Sequence, residues 1–101
     1  MPAFRSPPCH NDETLFNHEE LEDVPSWARF KSRVRGVLHC WDARELAQSF
    51  YHRQTTGLVP VHLNPITNQP FHSRTLHRLT TKLDALVSAG RLPVHLTQGW
   101  R

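Results

Sequence analysis

The sequence predicts one small α+β domain with a short β-hairpin, and three observations support that fold class. Apolar residues recur at three- and four-residue spacing between Leu76 and Val87, which is the pattern of an amphipathic helix. Asp42 opens a shorter helix with a capping pattern, and an alternating segment turns at Gly36 in the manner of a hairpin. A chain of 101 residues has room for one modest core.

The first segment, residues 1–25, is rich in proline and acidic side chains and is predicted to be an N-terminal arm. Met1–His10 contains three prolines and no apolar periodicity, which favours an extended chain. Asn11 or Asp12 can cap a short acidic helix that runs to about Leu21.

Charge and cysteine content restrict the class of protein. Residues 1–30 hold six acidic and two basic side chains, whereas residues 31–101 hold ten basic and three acidic ones. An acidic arm of this kind can dock on a basic body, in the same chain or in a neighbour. Cys9 and Cys40 are too few for a disulfide framework and are expected to be free thiols.

Localisation follows from the same features. The N-terminus has no apolar core of a signal peptide, and no apolar run approaches the roughly 20 residues that span a bilayer. Free thiols fit a reducing compartment. We therefore expect an intracellular protein, in the cytoplasm, in the nucleus or within a virus particle, and not a secreted or membrane-bound one.

Two interpretations compete for the segment before the hairpin turn. Trp27, Phe30 and Val34 are spaced by three and four residues, which predicts another turn or two of helix. The alternation over Arg33–Trp41 predicts a short strand or hairpin instead. The helix and strand predictions overlap at Lys31–Arg35.

The next helix has the best-defined cap in the chain. Asp42, with Glu45 three residues later, forms a capping box of the acidic variety and predicts a helix from Ala43 to about Arg53. The segment Thr55-Thr56-Gly57 is predicted to end it. Its apolar stripe comprises Leu46, Phe50 and either Ala47 or Tyr51. Leu58–Leu63 is predicted to be extended, as an edge or irregular strand because of Pro60.

A proline-bounded loop and a long helix complete the core. Asn64 begins a turn, because its side chain can accept from the backbone two residues later, and Pro70 closes the loop. Ser73 is the predicted cap of a helix over Arg74–Ala89, with Gly90 as its terminator.

The order of these parts resembles the second half of a U-box domain, the zinc-free relative of the RING finger. In that family a strand ends in His-x-aromatic-Asp, and a helix, an Asp-Pro-x-Thr-x-x-Pro-hydrophobic loop and a final helix follow. The matching segments are His39–Asp42, Glu45–Arg53, Asn64–Phe71 and Leu76–Leu83. Asparagine replaces aspartate at the start of the loop, and no clear counterpart of the family's first loop precedes the match.

The resemblance implies a scaffold without catalytic residues. A ubiquitin-conjugating enzyme would dock on the second loop, at Ile66, Asn68, Gln69 and Pro70. Trp41 would be a further contact residue, lying with Leu46 behind the loop. The loop itself would be held by Asp42, Asn64, Pro65 and Thr67. Small proteins of large DNA viruses, some of them virion components, are similar in the same aromatic-Asp helix and Asn-Pro-x-Thr-x-x-Pro loop, which implies a structural role.

Metal and nucleophile chemistry are disfavoured by spacing. The eight histidines and two cysteines form no Cys-x-x-Cys pair. His39 and Cys40 are adjacent, so on a strand they point to opposite faces, and His72 and His77 lie too far around a helix to share an ion. Neither a metal nor a cofactor is predicted, and a Cys40 nucleophile would lack an orienting acid.

Basic residues raise nucleic-acid binding as an alternative. A short basic run in the hairpin region comprises Lys31, Arg33 and Arg35. A second set repeats at four-residue spacing along one helix face, namely Arg74, Arg78 and Lys82. These side chains can contact phosphates, an acidic protein partner or the acidic arm.

The sequence as a whole predicts a non-enzymatic protein-interaction module, a small structural or adaptor subunit of a larger assembly such as a virus particle. Its core would span residues 26–90, and residues 91–101 would be a C-terminal tail with a strand-like piece at Val94–Leu96. Other protein subunits would be contacted through the two terminal arms. A ubiquitin-ligase module and a nucleic-acid binder are the alternatives.

Overall fold

A computed structural model describes Cys9, Asn11, Thr14 and residues 20–100, apart from the side chain of Glu22. A β-hairpin is followed by two α-helices with a very short second hairpin between them. The elements are β1 (Arg29–Val34), β2 (Val37–Asp42), α1 (Ala43–Thr56), β3 (Leu63–Asn64), β4 (Gln69–Pro70) and α2 (Ser73–Ser88). The predicted α+β fold class is confirmed, whereas the acidic helix predicted after Asn11 lies largely outside the described residues.

The first hairpin has a two-residue turn. Arg35 and Gly36 have φ angles of 51° and 81°, the pair of positive values that a type I′ turn requires. The strands are antiparallel, with Val34 opposite Val37 next to the turn. Lys31 and Cys40 are therefore a pair whose backbone groups face outward, away from the partner strand.

The helix predicted over Trp27–Val34 is wrong beyond the single 3-10 turn Ser26–Ala28. Alternate residues of β1 are buried, with Phe30 and Ser32 inside, because a pleated strand buries every second side chain. The offsets of three and four residues among the apolar side chains were therefore no guide to a helix here.

Helix α1 has the cap residues at both ends that its local sequence predicts. Asp42 Oδ1 accepts from the backbone amide of Arg44 at 2.9 Å, and Gly57 takes the left-handed conformation with a φ of 75°. The helix runs to Thr56, slightly beyond the predicted end. Its buried apolar residues are Ala43, Leu46, Ala47 and Phe50, so Ala47 rather than Tyr51 completes the buried stripe.

Helix α2 carries the predicted apolar stripe, but its cap differs. His72 is the N-cap, since its Nδ1 accepts from the backbone amide of Arg74 at 3.3 Å; the predicted cap, Ser73, is the first helical residue. At the other end, the amide of Arg91 donates to the carbonyl of Leu86 at 2.8 Å, while Gly90 has a φ of 72°. Glycine thus ends the helix as predicted.

The main core lies between α1, α2 and one face of the first hairpin. Phe50 is at its centre, with edge-to-face ring contacts to Phe71 at 5.8 Å and to Trp100 at 5.0 Å between centroids. The other buried members of the core are Phe30, Trp41, Ala43, Leu46, Ala47, Leu79, Leu83, Leu86 and Leu92. These side chains hold the hairpin and the two helices together.

The extended segment predicted at Leu58–Leu63 is wrong except at its last residue. Val59 is 81% exposed, and residues 61–62 form a turn. The segment is instead fastened to the end of α1, where Arg53 Nε donates to the carbonyl of Pro60 at 2.7 Å. Pro60 has no amide to offer a neighbouring strand, which is the physical reason.

The C-terminal segment packs on the core instead of extending as a tail. Leu92 and Trp100 are buried in it, and Val94–Thr97 is a 3-10 turn rather than a strand-like piece. Trp100 is fixed at both ends: its Nε1 donates to the carbonyl of Leu96 at 2.7 Å, and its own carbonyl accepts from His62 Nε2. The sequence prediction of a C-terminal arm therefore does not hold for residues 92–100.

The described N-terminal residues lie against the other face of the hairpin. Cys9 and Cys40 form a disulfide, with Cα atoms 5.7 Å apart, so the prediction of free thiols is wrong. Asn11 pairs with the outward backbone of Cys40: its Nδ2 donates to the carbonyl at 2.7 Å, and its Oδ1 accepts from the amide at 2.9 Å. A second buried cluster forms here from Cys9, Leu21, Val24, Ala28 and Cys40. Cys9 and Cys40 therefore no longer favour a reducing compartment.

Candidate protein-docking surface

The loop between β3 and β4 is built around the side chain of Asn64. Its Oδ1 accepts from the amide of Ile66 at 2.9 Å and from the amide of Thr67 at 3.3 Å. Its carbonyl accepts from the amide of Asn68 at 2.8 Å. Asn64 is only 1% exposed, so an uncharged acceptor suits the site better than a buried carboxylate would. Asn64 therefore holds the turn from inside.

The tip of this loop faces solvent. Asn68, Gln69 and Pro70 are exposed, while Pro65, Ile66 and Thr67 are half-buried. Ile66 packs against the main core, and Asn68 has a positive φ of 59°, which asparagine tolerates better than most residues. Three of the side chains predicted to contact a partner thus form an accessible tip, and Ile66 supports them from below.

The structure places Trp41 behind the loop, which corrects its predicted role as a contact residue. It is 3% exposed, its ring lies edge-to-face with Phe71 at 5.8 Å, and its Nε1 donates to Ser32 Oγ at 2.9 Å. Leu46 is also fully buried. Neither side chain can touch a partner without unfolding. Trp41 supports Phe71 through their ring contact, and Leu46 belongs to the main core.

Asp42 belongs to the start of α1 rather than to the loop. Besides capping the helix it forms an ion pair with Arg44, whose guanidinium lies 2.6 Å from Oδ2. Arg44 also lies over the ring of Trp27, at 4.8 Å, and Arg91 lies over it at 4.3 Å. The role of Asp42 is therefore to fix the helix start and, through Arg44, the segment before the hairpin.

A groove of about 760 Å³ runs beside the loop, between the tip of the first hairpin and the start of α2. The hairpin side comprises Ser32, Arg33, Val34 and Arg35. The opposite side comprises Asn64, Thr67, Gln69, Pro70, Phe71, His72, Arg74 and Thr75. Two of the tip residues, Gln69 and Pro70, thus belong to the groove as well as to the loop.

The groove is basic. Arg33, Arg35 and Arg74 are all exposed and line it from two sides, and none of the lining residues is acidic. Among the described residues no carboxylate pairs with these three guanidinium groups; Arg33 donates to the carbonyl of Gly36 at 2.9 Å. The positive end of the α2 dipole adds to the same potential.

The two basic sets found in the sequence do not form one surface. Arg33 and Arg35 join Arg74 in the groove, while Arg78 lies over the ring of Phe30 at 5.0 Å and donates to the carbonyl of Lys31 at 2.8 Å. The hydrogen bond of Arg78 ties α2 to the outer edge of β1. Lys82 does not line the groove.

Sequence reasoning missed that the hairpin tip faces the loop and the first residues of α2. Arg33 and Arg35 were predicted only as part of a separate basic run, and His72 was not predicted as a contact residue. The sequence did not combine them into one site, because they come from separate elements. The loop and the helix cap are encoded locally, but their distance from the hairpin is set by the packing of Trp41 on Phe71.

The described part of the chain contains neither a cluster of metal-ligating side chains nor a free thiol. No group of three or more metal-ligating side chains is present there, and Cys40 is bonded to Cys9.

A smaller cavity of about 380 Å³ is lined by His62, Ser73, Leu76, His77, Thr80 and Trp100. Within residues 20–100, no helix has both the length and the apolar character that crossing a bilayer requires.

No family model, curated protein or solved structure matches this chain. The resemblance of residues 39–83 to a U-box therefore stays a prediction from the sequence.

Proposed function

We propose that the chain is a non-enzymatic protein-interaction module, a small structural or adaptor subunit of a larger assembly, and that it docks through the Asn64–Phe71 loop. The observation that supports this proposal most is the buried Asn64, which commits its side chain to holding an exposed tip in one conformation. A binding loop that is already ordered loses less conformational entropy when it meets a partner.

The groups available beside the loop favour binding over catalysis. A general base needs a side chain that can take up a proton near neutral pH. The guanidinium groups that line the groove are hydrogen-bond donors without an acceptor atom, and the Nδ1 of His72 is used as the helix cap. Nucleophile, base and orienting acid are therefore not assembled at this surface among the described residues.

The proposal is tested by comparing partner capture from the native source by the wild-type chain and by a loop variant. The variant Asn68→Ala/Gln69→Ala/Pro70→Ala removes the exposed tip and keeps Asn64 and Ile66. We expect it to lose the specific partners that the wild type retains, as measured by quantitative mass spectrometry.

A matched control is Val59→Ala/Gln98→Ala, which alters exposed residues outside the loop and the groove. It should retain the same partners as the wild type. If the loop variant also retains all of them, the loop is not the docking surface.

A ubiquitin-ligase module is the second candidate, and the exposed Pro70 beside the half-buried Ile66 supports it, since the U-box resemblance places the conjugating enzyme there. The chain would speed discharge of ubiquitin from a conjugating enzyme, and Ile66→Ala or Pro70→Ala would abolish this effect. Absence of stimulation across a panel of conjugating enzymes would eliminate this candidate.

A further inference from the structure

We infer that the groove between the hairpin tip and the start of α2 binds an acidic peptide segment of the docking partner. This inference rests on the proposed protein-interaction function and adds the chemical class of the partner. It assigns the contacts to Arg33, Arg35 and Arg74, of which only Arg74 belongs to the basic helix face that the sequence suggests.

The charge of the groove is the first support. Three exposed guanidinium groups line it from opposite sides, no acidic side chain lines it, and no described carboxylate pairs with them. A guanidinium group offers a planar fork of donors that fits a carboxylate with two parallel hydrogen bonds. Acidic side chains would therefore complement the groove in both charge and geometry.

The remaining lining groups fit a peptide. Gln69 can donate to and accept from a peptide backbone, and the hydroxyls of Thr67 and Thr75 can do the same. The volume of about 760 Å³ falls within the range of ligand pockets and accommodates a few side chains. Pro70 supplies an apolar edge that continues onto the proposed docking loop.

The same features disfavour a nucleic acid as the occupant. Single strands are bound on exposed aromatic rings, but the one phenylalanine that lines the groove, Phe71, is 8% exposed and packs against Trp41 and Phe50. Nucleic-acid binders also contact many successive phosphates. Here the basic row along α2 is interrupted, because Arg78 donates to the carbonyl of Lys31.

The test measures binding of a fluorescein-labelled octaglutamate peptide to the full chain by anisotropy at low ionic strength, with octaglutamine as the uncharged probe. We expect octaglutamate to bind and octaglutamine not to bind. Arg35→Gln should weaken binding about threefold, and Arg33→Gln/Arg35→Gln/Arg74→Gln at least about tenfold, in keeping with the modest strength of exposed ion pairs.

Matched controls separate the groove from net charge. Lys82→Gln removes one positive charge from α2 outside the groove, and Arg53→Gln/Lys82→Gln/Arg91→Gln removes three. Lys82→Gln should bind octaglutamate within about twofold of the wild type. The triple control should bind it clearly more tightly than Arg33→Gln/Arg35→Gln/Arg74→Gln does. Circular dichroism and an intact disulfide verify that every variant is folded.

Three outcomes would overturn the inference, and a fourth would reject the proposed function instead. Equal loss in the groove and control variants would mean that only net charge attracts the peptide. Tighter, arginine-dependent binding of a single-stranded oligonucleotide of the same charge would assign the groove to nucleic acid. In the partner-capture experiment, the third outcome is that partners are lost by Asn68→Ala/Gln69→Ala/Pro70→Ala and kept by Arg33→Gln/Arg35→Gln/Arg74→Gln. That result would sustain the proposed function and reject the groove as the site of an acidic peptide. Octaglutamate bound through the arginines, with no partner dependent on the loop, would reject the function alone.

Discussion

The two faces of the first hairpin are held by different means. The front face contributes Phe30 and Trp41 to a core shared with both helices, where large rings meet edge to face. The back face is covered by a small cluster, and its N-terminal contacts include a disulfide and the hydrogen bonds of Asn11. Large apolar side chains therefore dominate the contacts of the front face, whereas the back face combines a smaller apolar cluster with a covalent link.

The front face should show the largest effect of a single substitution. Phe50→Ala would remove the ring at the centre of the core and leave a cavity, which is expected to lower the free energy of unfolding by about 3–5 kcal/mol. Urea denaturation measures this loss. Val59→Ala, at an exposed position, is the control and should stay within about 0.5 kcal/mol. Equal effects of the two would mean that the core does not centre on Phe50.

Breaking the disulfide should affect the back face next. Cys9→Ala removes a link between residues 31 positions apart, which is expected to lower the free energy of unfolding by about 2–4 kcal/mol. Reducing agent should destabilise the wild type by a similar amount and leave Cys9→Ala unchanged. Hydrogen exchange should increase at Cys40 more than in α1 and α2. Identical urea midpoints of oxidised and reduced wild type would contradict the comparison.

On the front side, Asn64→Ala should destabilise the docking loop. It leaves the amides of Ile66 and Thr67 without their acceptor at a buried position, a loss of about 2 kcal/mol. Faster hydrogen exchange at those two amides would locate the effect. Gln69→Ala, an exposed change in the same loop, should leave both exchange and stability nearly unaltered. Unchanged exchange in Asn64→Ala would show that the turn does not need this side chain.

The smallest effect is expected from Asn11→Ala on the back face. It removes two partly buried hydrogen bonds to the edge of β2, a loss of about 1 kcal/mol. In the Cys9→Ala background the same substitution should have almost no effect, because the segment is then no longer held in place. A double-mutant cycle measures this coupling. Additive effects of the two substitutions would show that Asn11 binds independently of the disulfide.

Much of the helical core was predictable because its information is local. Asp42 and Gly57 mark the two ends of α1, the leucine spacing defines α2, and Asn64 begins the loop. Each of these features acts within a few residues of its own position. The candidate site was predictable to the same extent: the exposed tip Asn68–Pro70 was identified, while the inaccessibility of Trp41 was not.

The errors have non-local causes. An apolar spacing of three and four residues is compatible with a helix at Phe30, but pairing with β2 makes that segment a strand. Trp100 was predicted to belong to a tail, but its ring contacts that of Phe50 in the core. Arg33 and Arg74 share a groove only because their elements pack side by side.

The sequence by itself determined the fold class, the limits of α1, the apolar face of α2 and the turn at Asn64, since short-range hydrogen bonds and side-chain periodicity specify them. Only the tertiary structure decided the pairing of Cys9 with Cys40, the burial of the C-terminal segment and the assembly of the basic groove. These three depend on contacts between residues far apart in the chain, whose partners no local pattern identifies.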